Sequence, residues 1–251
     1  MFIDSHCHLY SLSNIEDAIL HARDAGVAKV VVVSEDLQTM EQTLKLRDDF
    51  PEFVLPSLGI HPVNVLYMSN SEWERAFSFL RLHANECSCI GEIGLDYKYA
   101  TTEKEKEKQR AALHGQMEVA AENHLPINLH SRRALRQTMQ EAVAFHKDTG
   151  LPTLLHWFAH SLKLLTRTNE EGIFVSAGPS ILFSEDALSL AFAIDIQLIL
   201  VETDAPVPFN GRPSYPAWVV EVAEKLVSHY PEKKLSKEKL LDNAQRYLKK
   251  P

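Results

Sequence analysis

The chain opens Met1-Phe2-Ile3-Asp4-Ser5-His6-Cys7-His8, a short apolar run that passes without a glycine into an acid and two histidines. An open, doubly wound α/β sheet often carries a glycine-rich phosphate loop after its first strand. None stands here, so the alternative parallel architecture, the (β/α)8 TIM barrel, is favoured. Seven further β-rich apolar runs follow, at 29–34, 53–58, 88–93, 126–129, 152–155, 173–176 and 197–202, with the first at 1–4. Their near-continuous apolar character suits strands buried on both faces of a parallel sheet.

Helical periods separate these runs. Leu113, Met117, Ala120 and His124 share one face, Leu135, Met139, Ala142, Val143 and His146 another, and Val219, Val222, Ala223, Leu226 and Tyr230 a third. Thr102 with Glu105 reads as a capping box before a helix near 103–123, and Ser236 as the cap of a last helix running to about residue 248. Gly26 and Gly150 stand where helices should stop. Alternating strands and helices imply a parallel sheet, and 251 residues match the usual barrel of about 250. With no repeat, linker or compositional break, residues 1–251 are expected to form one domain.

A barrel enzyme collects its chemistry at the carboxyl ends of its strands, and the unusual residues fall there: His6 and His8, His61, Glu92, His130 and Arg132, His156, then Glu202 and Asp204. His6 and His8, two apart on a strand, project to one face, while Cys7 turns away to pack between barrel and helices. Glu92, flanked by Gly91 and Gly94, is a carboxylate that needs a cation in a barrel mouth, an ion or Arg132. His130 and His156 end consecutive strands and so lie side by side. Barrel closure brings Asp204 beside the first strand. Four imidazoles and two carboxylates make a mixed nitrogen and oxygen set for two divalent ions such as zinc or manganese. An aspartate touching both ion and water can orient the water and accept its proton. His61, Arg132 and Arg212 are candidate contacts to substrate oxygens, the planar guanidinium fork suiting phosphate; Arg132 alternatively pairs with Glu92 or Glu202. Glu202 shares a face with Asp204 as a further ligand or its support. His21, His83, His114, His124, His146 and His229 are expected on helices away from the mouth, with His160 unassigned.

Twenty-six Lys and Arg against 34 Asp and Glu give a net charge of −8, which argues against coating long duplex DNA. It does not exclude taking a nucleic-acid end into an ion-lined pocket. The Glu103 to Lys108 alternation and the lysines at 233, 234, 237, 239, 249 and 250 are read as solvated, the latter alternatively as a basic patch. Three cysteines without CxxC spacing, no signal-like start and no apolar run near the roughly 20 residues of a membrane span give a cytoplasmic expectation without membrane contact.

Taken in order, Asp4 to Leu9, Leu58-Gly-Ile-His-Pro62, Ile90-Gly-Glu-Ile-Gly-Leu-Asp-Tyr97, Asn128-Leu-His-Ser-Arg132, His156-Trp-Phe158 and Glu202-Thr-Asp-Ala-Pro206 resemble the TatD family of metal-dependent deoxyribonucleases among the amidohydrolase-like barrels. The resemblance implies a two-ion site: His6, His8 and Asp204 on one ion, His130 and His156 on the other, and Glu92 bridging. It implies a 3′-to-5′ exonuclease acting on single-stranded DNA ends, with zinc, manganese or magnesium. A bridging water would attack phosphorus, with Asp204 as base and Glu92 as the second catalytic residue. This chain departs from the family's usual pattern at His156-Trp-Phe-Ala-His160 and Arg212-Pro-Ser-Tyr-Pro216, which face substrate. The same ions can polarise a carbonyl, so a D-aminoacyl-tRNA ester is the alternative substrate. A non-catalytic metal scaffold is the third reading, and the intact Asp204 speaks against it.

Overall fold

A computed structural model describes residues 1–157, 161–229 and 234–248. Eight strands run in sheet order β1 to β8: Phe2–Cys7, Val27–Val33, Val54–Leu58, Cys89–Asp96, Ile127–Arg132, Thr153–Leu155, Phe174–Ala177 and Ile199–Val201. Every neighbouring pair is parallel. The first and last strands meet beyond their sheet register. His8 N–H donates to Ala205 O at 2.8 Å and Asp204 N–H to His6 O at 2.9 Å. Ser5 Oγ donates to Val201 O at 2.9 Å. Sequential parallel strands with helices on the crossovers make the expected (β/α)8 barrel.

The helices are α1 (Ile15–Ala25), α2 (Leu37–Asp49), α3 (Pro62–Tyr67), α4 (Asn70–His83), α5 (Glu103–Glu122), α6 (Leu135–Thr149), α7 (Leu162–Glu170), α8 (Glu185–Ala191), α9 (Trp218–His229) and α10 (Lys237–Leu248). Two crossovers are richer than one strand, one helix. The β3–β4 crossover carries both α3 and α4, and α9 and α10 both follow β8. The local signals act where expected. Thr102 and Glu105 form a capping box on α5, and Gly26 and Gly150 end α1 and α6 in left-handed conformation. Ser236 Oγ accepts from Lys239 N–H at 3.1 Å. His124 is a correction: it lies past α5 as an exposed turn residue with φ +53°. Its side chain therefore does not extend the Leu113, Met117 and Ala120 stripe. Tyr230, also read into a stripe, lies outside the described residues.

Two clusters make the core. One fills the space between barrel and helices and includes Cys7, as alternation requires. The other, with Ile3, Val31, Val33, Cys89, Leu154 and Leu200, fills the lower barrel and is closed by Ala244 and Tyr247 of α10. Tyr247 Oη donates to Ile127 O at 3.1 Å. The polar upper barrel therefore stands on an apolar floor.

Three strands outrun their apolar runs by three residues: β1 ends at Cys7, β4 at Asp96 and β5 at Arg132. Polar side chains belong on those extensions because they line the mouth. In β4 the pairing slips, with Ile90 opposite Ile127 but Ile93 opposite Leu129. Such an extra residue re-aims side chains, and Glu92 lies inside it. The strand then passes so close to β5 that a Cβ at Gly94, where φ is +151°, would lie 2.1 Å from His130 O. Gly94→Ala is accordingly expected to destabilise the fold by about 3 kcal/mol, from overpacking plus backbone strain. Thermal unfolding of the variant checks this, and an unchanged Tm would contradict the close approach.

Candidate metal centre

Glu92 stands at the centre of the mouth, 3% exposed, with its two oxygens addressing different neighbours. Oε2 lies 3.5 Å from both His6 Nε2 and His8 Nε2. Oε1 lies 2.7 Å from His130 Nδ1, 2.9 Å from His156 Nε2 and 3.7 Å from His61 Nε2. On the first side Asp204 Oδ1 completes the group, 3.6 Å from His6 Nε2 and 3.3 Å from His8 Nε2. Asp204 holds φ +50°, a left-handed conformation uncommon outside glycine and costing of order 1 kcal/mol or more. The turn it makes carries its carboxylate back over β1.

Hydrogen bonds beneath the rim settle which imidazole nitrogens are bare. Asn128 Nδ2 donates to Ser5 O at 3.1 Å, which leaves Asn128 Oδ1, 3.1 Å from His6 Nδ1, as an acceptor. His6 therefore keeps its proton on Nδ1 and turns the Nε2 lone pair toward Glu92 and Asp204. Tyr10 Oη donates to Glu35 Oε2 at 3.3 Å and can accept from His8 Nδ1–H at 2.9 Å, so His8 Nε2 is bare in the same direction. Asp96 does the same work for His130: its Oδ2 faces Nε2 at 3.3 Å, while its Oδ1 accepts from Lys98 N–H at 2.9 Å. A carboxylate or carbonyl behind an imidazole is the arrangement that orients metal-binding histidines. Asp4 clamps the seam from below, accepting from the backbone N–H groups of His6 and Thr203 at 3.2 and 3.0 Å.

These atoms fit a cation. Among the described residues His6 Nε2 is buried with no hydrogen-bond partner, as are His156 Nδ1 and Glu202 Oε1. Two atoms bonded to one zinc at about 2.0–2.1 Å sit about 3.3 Å apart at the tetrahedral angle, close to the His6, His8, Glu92 and Asp204 separations. Among the described residues three groups have ligand atoms within 4.8 Å of one another: His6, His8 and Glu92; His61, Glu92 and His130; and His6, His156 and Glu202. The electrostatics agree. Burial opposes a charge on His8, but the carboxylates of Asp204, Glu92 and Glu35 outweigh it and push the pKa up to about 9. His130 and His156 are likewise raised against burial, His130 by Asp96 and Glu92, His156 by Glu92 and Glu202. The acids call for positive charge that an ion would supply in place of these protons.

His61 differs. Its Nδ1 accepts from Val63 N–H at 3.2 Å as the cap of α3, so the neutral ring carries its proton on Nε2. Burial, and after it the neighbouring His130, lower its pKa to about 3. It presents an N–H donor to the cavity rather than a lone pair.

The cavity above the centre holds about 640 Å³, with Tyr99, Arg132 and Trp157 in its wall. Arg132 is exposed; among the described residues it pairs with neither Glu92 nor Glu202. Glu202 is fully buried below the rim, its Oε2 accepting from Ser176 Oγ at 2.6 Å and its Oε1 3.7 Å from His156 Nδ1. It supports His156 and does not reach the cavity wall. Arg212 is not brought to the cavity either. It sits exposed on a hairpin, β9 (Pro208–Phe209) and β10 (Arg212–Pro213), turned by Asn210-Gly211 at φ +49° and +76°. The hairpin reaches the mouth through Phe209, whose ring is 5.2 Å from Trp157. His160 and Phe158 lie outside the described residues. Of the helical histidines, His114 faces Glu141 at 2.9 Å and His229 stacks on Phe192, both away from the mouth. Lys237 and Lys239 pair with Glu224 and Asp242, Lys234 is exposed, and Lys233, Lys249 and Lys250 lie outside the described residues.

Sequence reading assigned no role to Tyr10 and Glu35, nor to Asp96 and Asn128, which stand in its quoted motifs. Asn128 lies two residues before His130 and Tyr10 two after His8, so the strand-like spacing that picked out the histidines also pointed to their supports.

A barrel rim built in this way places the chain among the metal-dependent hydrolases. Within that class, the family model described as TatD related DNase matches residues 3–249, and the chain belongs to this family. Deoxyribonuclease TATDN3 of Homo sapiens is 31% identical over 215 residues, covering 81% of this chain and 77% of that protein. The uncharacterized metal-dependent hydrolase MG009 of Mycoplasma genitalium is 32% identical over 235 residues, 87% of each chain. The crystal structure of YjjV, a TatD homologue from Escherichia coli, superposes with a TM-score of 0.84 at 25% identity, covering 98% of this chain and 97% of that one. Among the described residues no helix is long and apolar enough to cross a membrane.

Proposed function

We propose that residues 1–251 act as one hydrolase domain that removes nucleotides from single-stranded DNA ends in the 3′-to-5′ direction, using two divalent ions. The observation that carries this reading is Glu92, whose two oxygens each face a separate set of imidazole nitrogens. His6, His8 and Asp204 would hold one ion, His130 and His156 the other, and Glu92 both; the nitrogen and oxygen donors suit zinc or manganese, with magnesium as a further candidate. When bound, such ions lower the pKa of water and neutralise charge on phosphoryl oxygens.

The chain's own residues would then divide the work. Asp204 takes the proton of the attacking water as its oxygen bonds to phosphorus and the bond to the leaving nucleotide oxygen breaks. His61, neutral and protonated on Nε2, donates to a phosphoryl oxygen. Arg132 at the cavity wall offers its fork to the phosphate. Tyr99 and Trp157 give flat faces on which a base of any identity can stack, worth about 1–3 kcal/mol each.

The test is digestion of an end-labelled single-stranded oligodeoxynucleotide with manganese or magnesium. A ladder that shortens from the 3′ end is expected, and abolished by chelation. Shortening from the 5′ end would reverse the polarity. No shortening, in protein shown to carry its metals, would overturn the nuclease reading in favour of a carbonyl substrate such as an aminoacyl ester.

A further inference from the structure

A second cleft, of about 620 Å³, lies between α6 and α7 on the outside of the barrel, and Arg136, Lys163 and Arg167 line it. It adjoins the mouth through one segment of chain. Arg132 is in the cavity wall; Arg133 turns the backbone at φ +55°; Arg136, in the first turn of α6, lines the cleft. Helices of this barrel begin at the carboxyl rim, so the amino ends of α6 and α7 stand beside the mouth.

All five cations, Arg132, Arg133, Arg136, Lys163 and Arg167, are exposed. Among the described residues none of them forms an ion pair with a carboxylate. Elsewhere the chain pairs its cations readily: Lys45 with Asp49, Arg47 with Glu86, Arg81 with Glu122, Lys147 with Glu171. In a protein with 34 acids and 26 bases, five neighbouring cations outside any close ion pair, with only the more distant influence of Arg167 on Glu171, form a local field opposite to the net charge. A single carboxylate, Glu170, lines the cleft beside the three cations.

We propose that this cleft is a second binding surface, for the phosphates of the same single DNA strand whose end occupies the metal centre. The inference rests on the nuclease reading for its occupant. Contacts of this kind neutralise phosphates without reading bases, and arginine forks match phosphate oxygens. The metal centre takes the terminal linkage and the cleft grips nucleotides farther along. Affinity then grows with strand length while the chemical step does not.

The metal-loaded protein is titrated into a fluorescein-labelled, phosphorothioate-linked oligothymidine of about 16 nucleotides, which resists cleavage, and anisotropy is read over a salt series. Arg136→Gln, Lys163→Gln and Arg167→Gln combined are expected to weaken binding at least tenfold at low salt. They should reduce the slope of log K against log salt by about 2, from three contacts at roughly 0.7 each. Hydrolysis of bis(p-nitrophenyl) phosphate, too small to span both sites, is expected to stay within twofold. A charge-matched variant on the lower ends of the helices, Arg23→Gln, Lys45→Gln and Lys147→Gln, should bind as the parent does. Unchanged affinity and slope in the cleft variant, or an equal loss in the control, overturns the proposal. Binding lost with the cleft cations in a protein that cleaves no phosphodiester would uphold the cleft and sink the nuclease reading. Cleavage of the small diester without a cleft effect would do the reverse.

Discussion

Asp204→Asn is expected to lower kcat on a single-stranded DNA substrate by about 10²–10⁴-fold, the usual worth of a positioned general base. The substitution is unusually clean here. Asp204 sits at φ +50°, and asparagine tolerates the left-handed region as well as aspartate does, so the backbone turn survives. Its N–H still donates to His6 O. What changes is the oxygen that faces His6 Nε2 at 3.6 Å and His8 Nε2 at 3.3 Å, which loses its charge and its ability to take a proton. A kcat within tenfold of the parent, in variant protein with full metal content, would remove Asp204 from the role of base.

Chelation should be the largest perturbation of stability. The centre gathers Glu92, Asp204, Asp96 and Glu202 with five histidines at the top of the barrel. Burial opposes the charge on Glu92, Asp204 and Asp96, but the surrounding imidazoles outweigh it and hold all three below the usual carboxylate range, so the acids stay charged and call for a cation. Ions that bind only the folded chain stabilise it by about 4 kcal/mol when present at roughly 1,000 times Kd. For a chain of this size that is a Tm shift of about 8–16 °C. A fall of this order on dialysis against EDTA, reversed by zinc or manganese, is the expected result in differential scanning calorimetry. A Tm unmoved by verified metal loss would mean that the carboxylates and imidazoles satisfy one another without a cation. Protons compete for the same lone pairs: with the His8 pKa raised to about 9 in the metal-free centre, the protonated ring dominates below that pH, so metal affinity should climb as pH rises toward it.

The strands were legible as apolar runs, and the rim residues were legible because one polar residue stood at the end of run after run. Strand ends were not. Hydrophobicity marks where a strand stops being buried among apolar neighbours, whereas β1, β4 and β5 continue to Cys7, Asp96 and Arg132 because their last residues face the polar mouth. Asp96, quoted within a motif but given no role, was missed for that reason: it lies past the apolar run and is strand. Arg212 misled in the opposite way. It follows the last strand closely in sequence, but the Asn210-Gly211 turn folds it into a hairpin that presents Phe209 to the mouth instead. Tautomers, such as the Nε2–H of His61, depend on backbone partners such as Val63 N–H and have no signature in residue type.

The seam that closes the barrel joins the first six residues of sheet to the last three. Ser5 reaches Val201 across 196 positions and Asp4 reaches Thr203 across 199. His6 and His8 on one side and Asp204 on the other, the groups proposed for one ion, therefore lie far apart in sequence. Contacts this distant in sequence carry the full entropy of loop closure before they give anything back. His6 and His8 can meet Asp204 only once the eighth strand has closed the ring. Ion binding by these three groups would thus report that the ring has closed, and a chain cut before β8 should be unable to assemble that part of the centre.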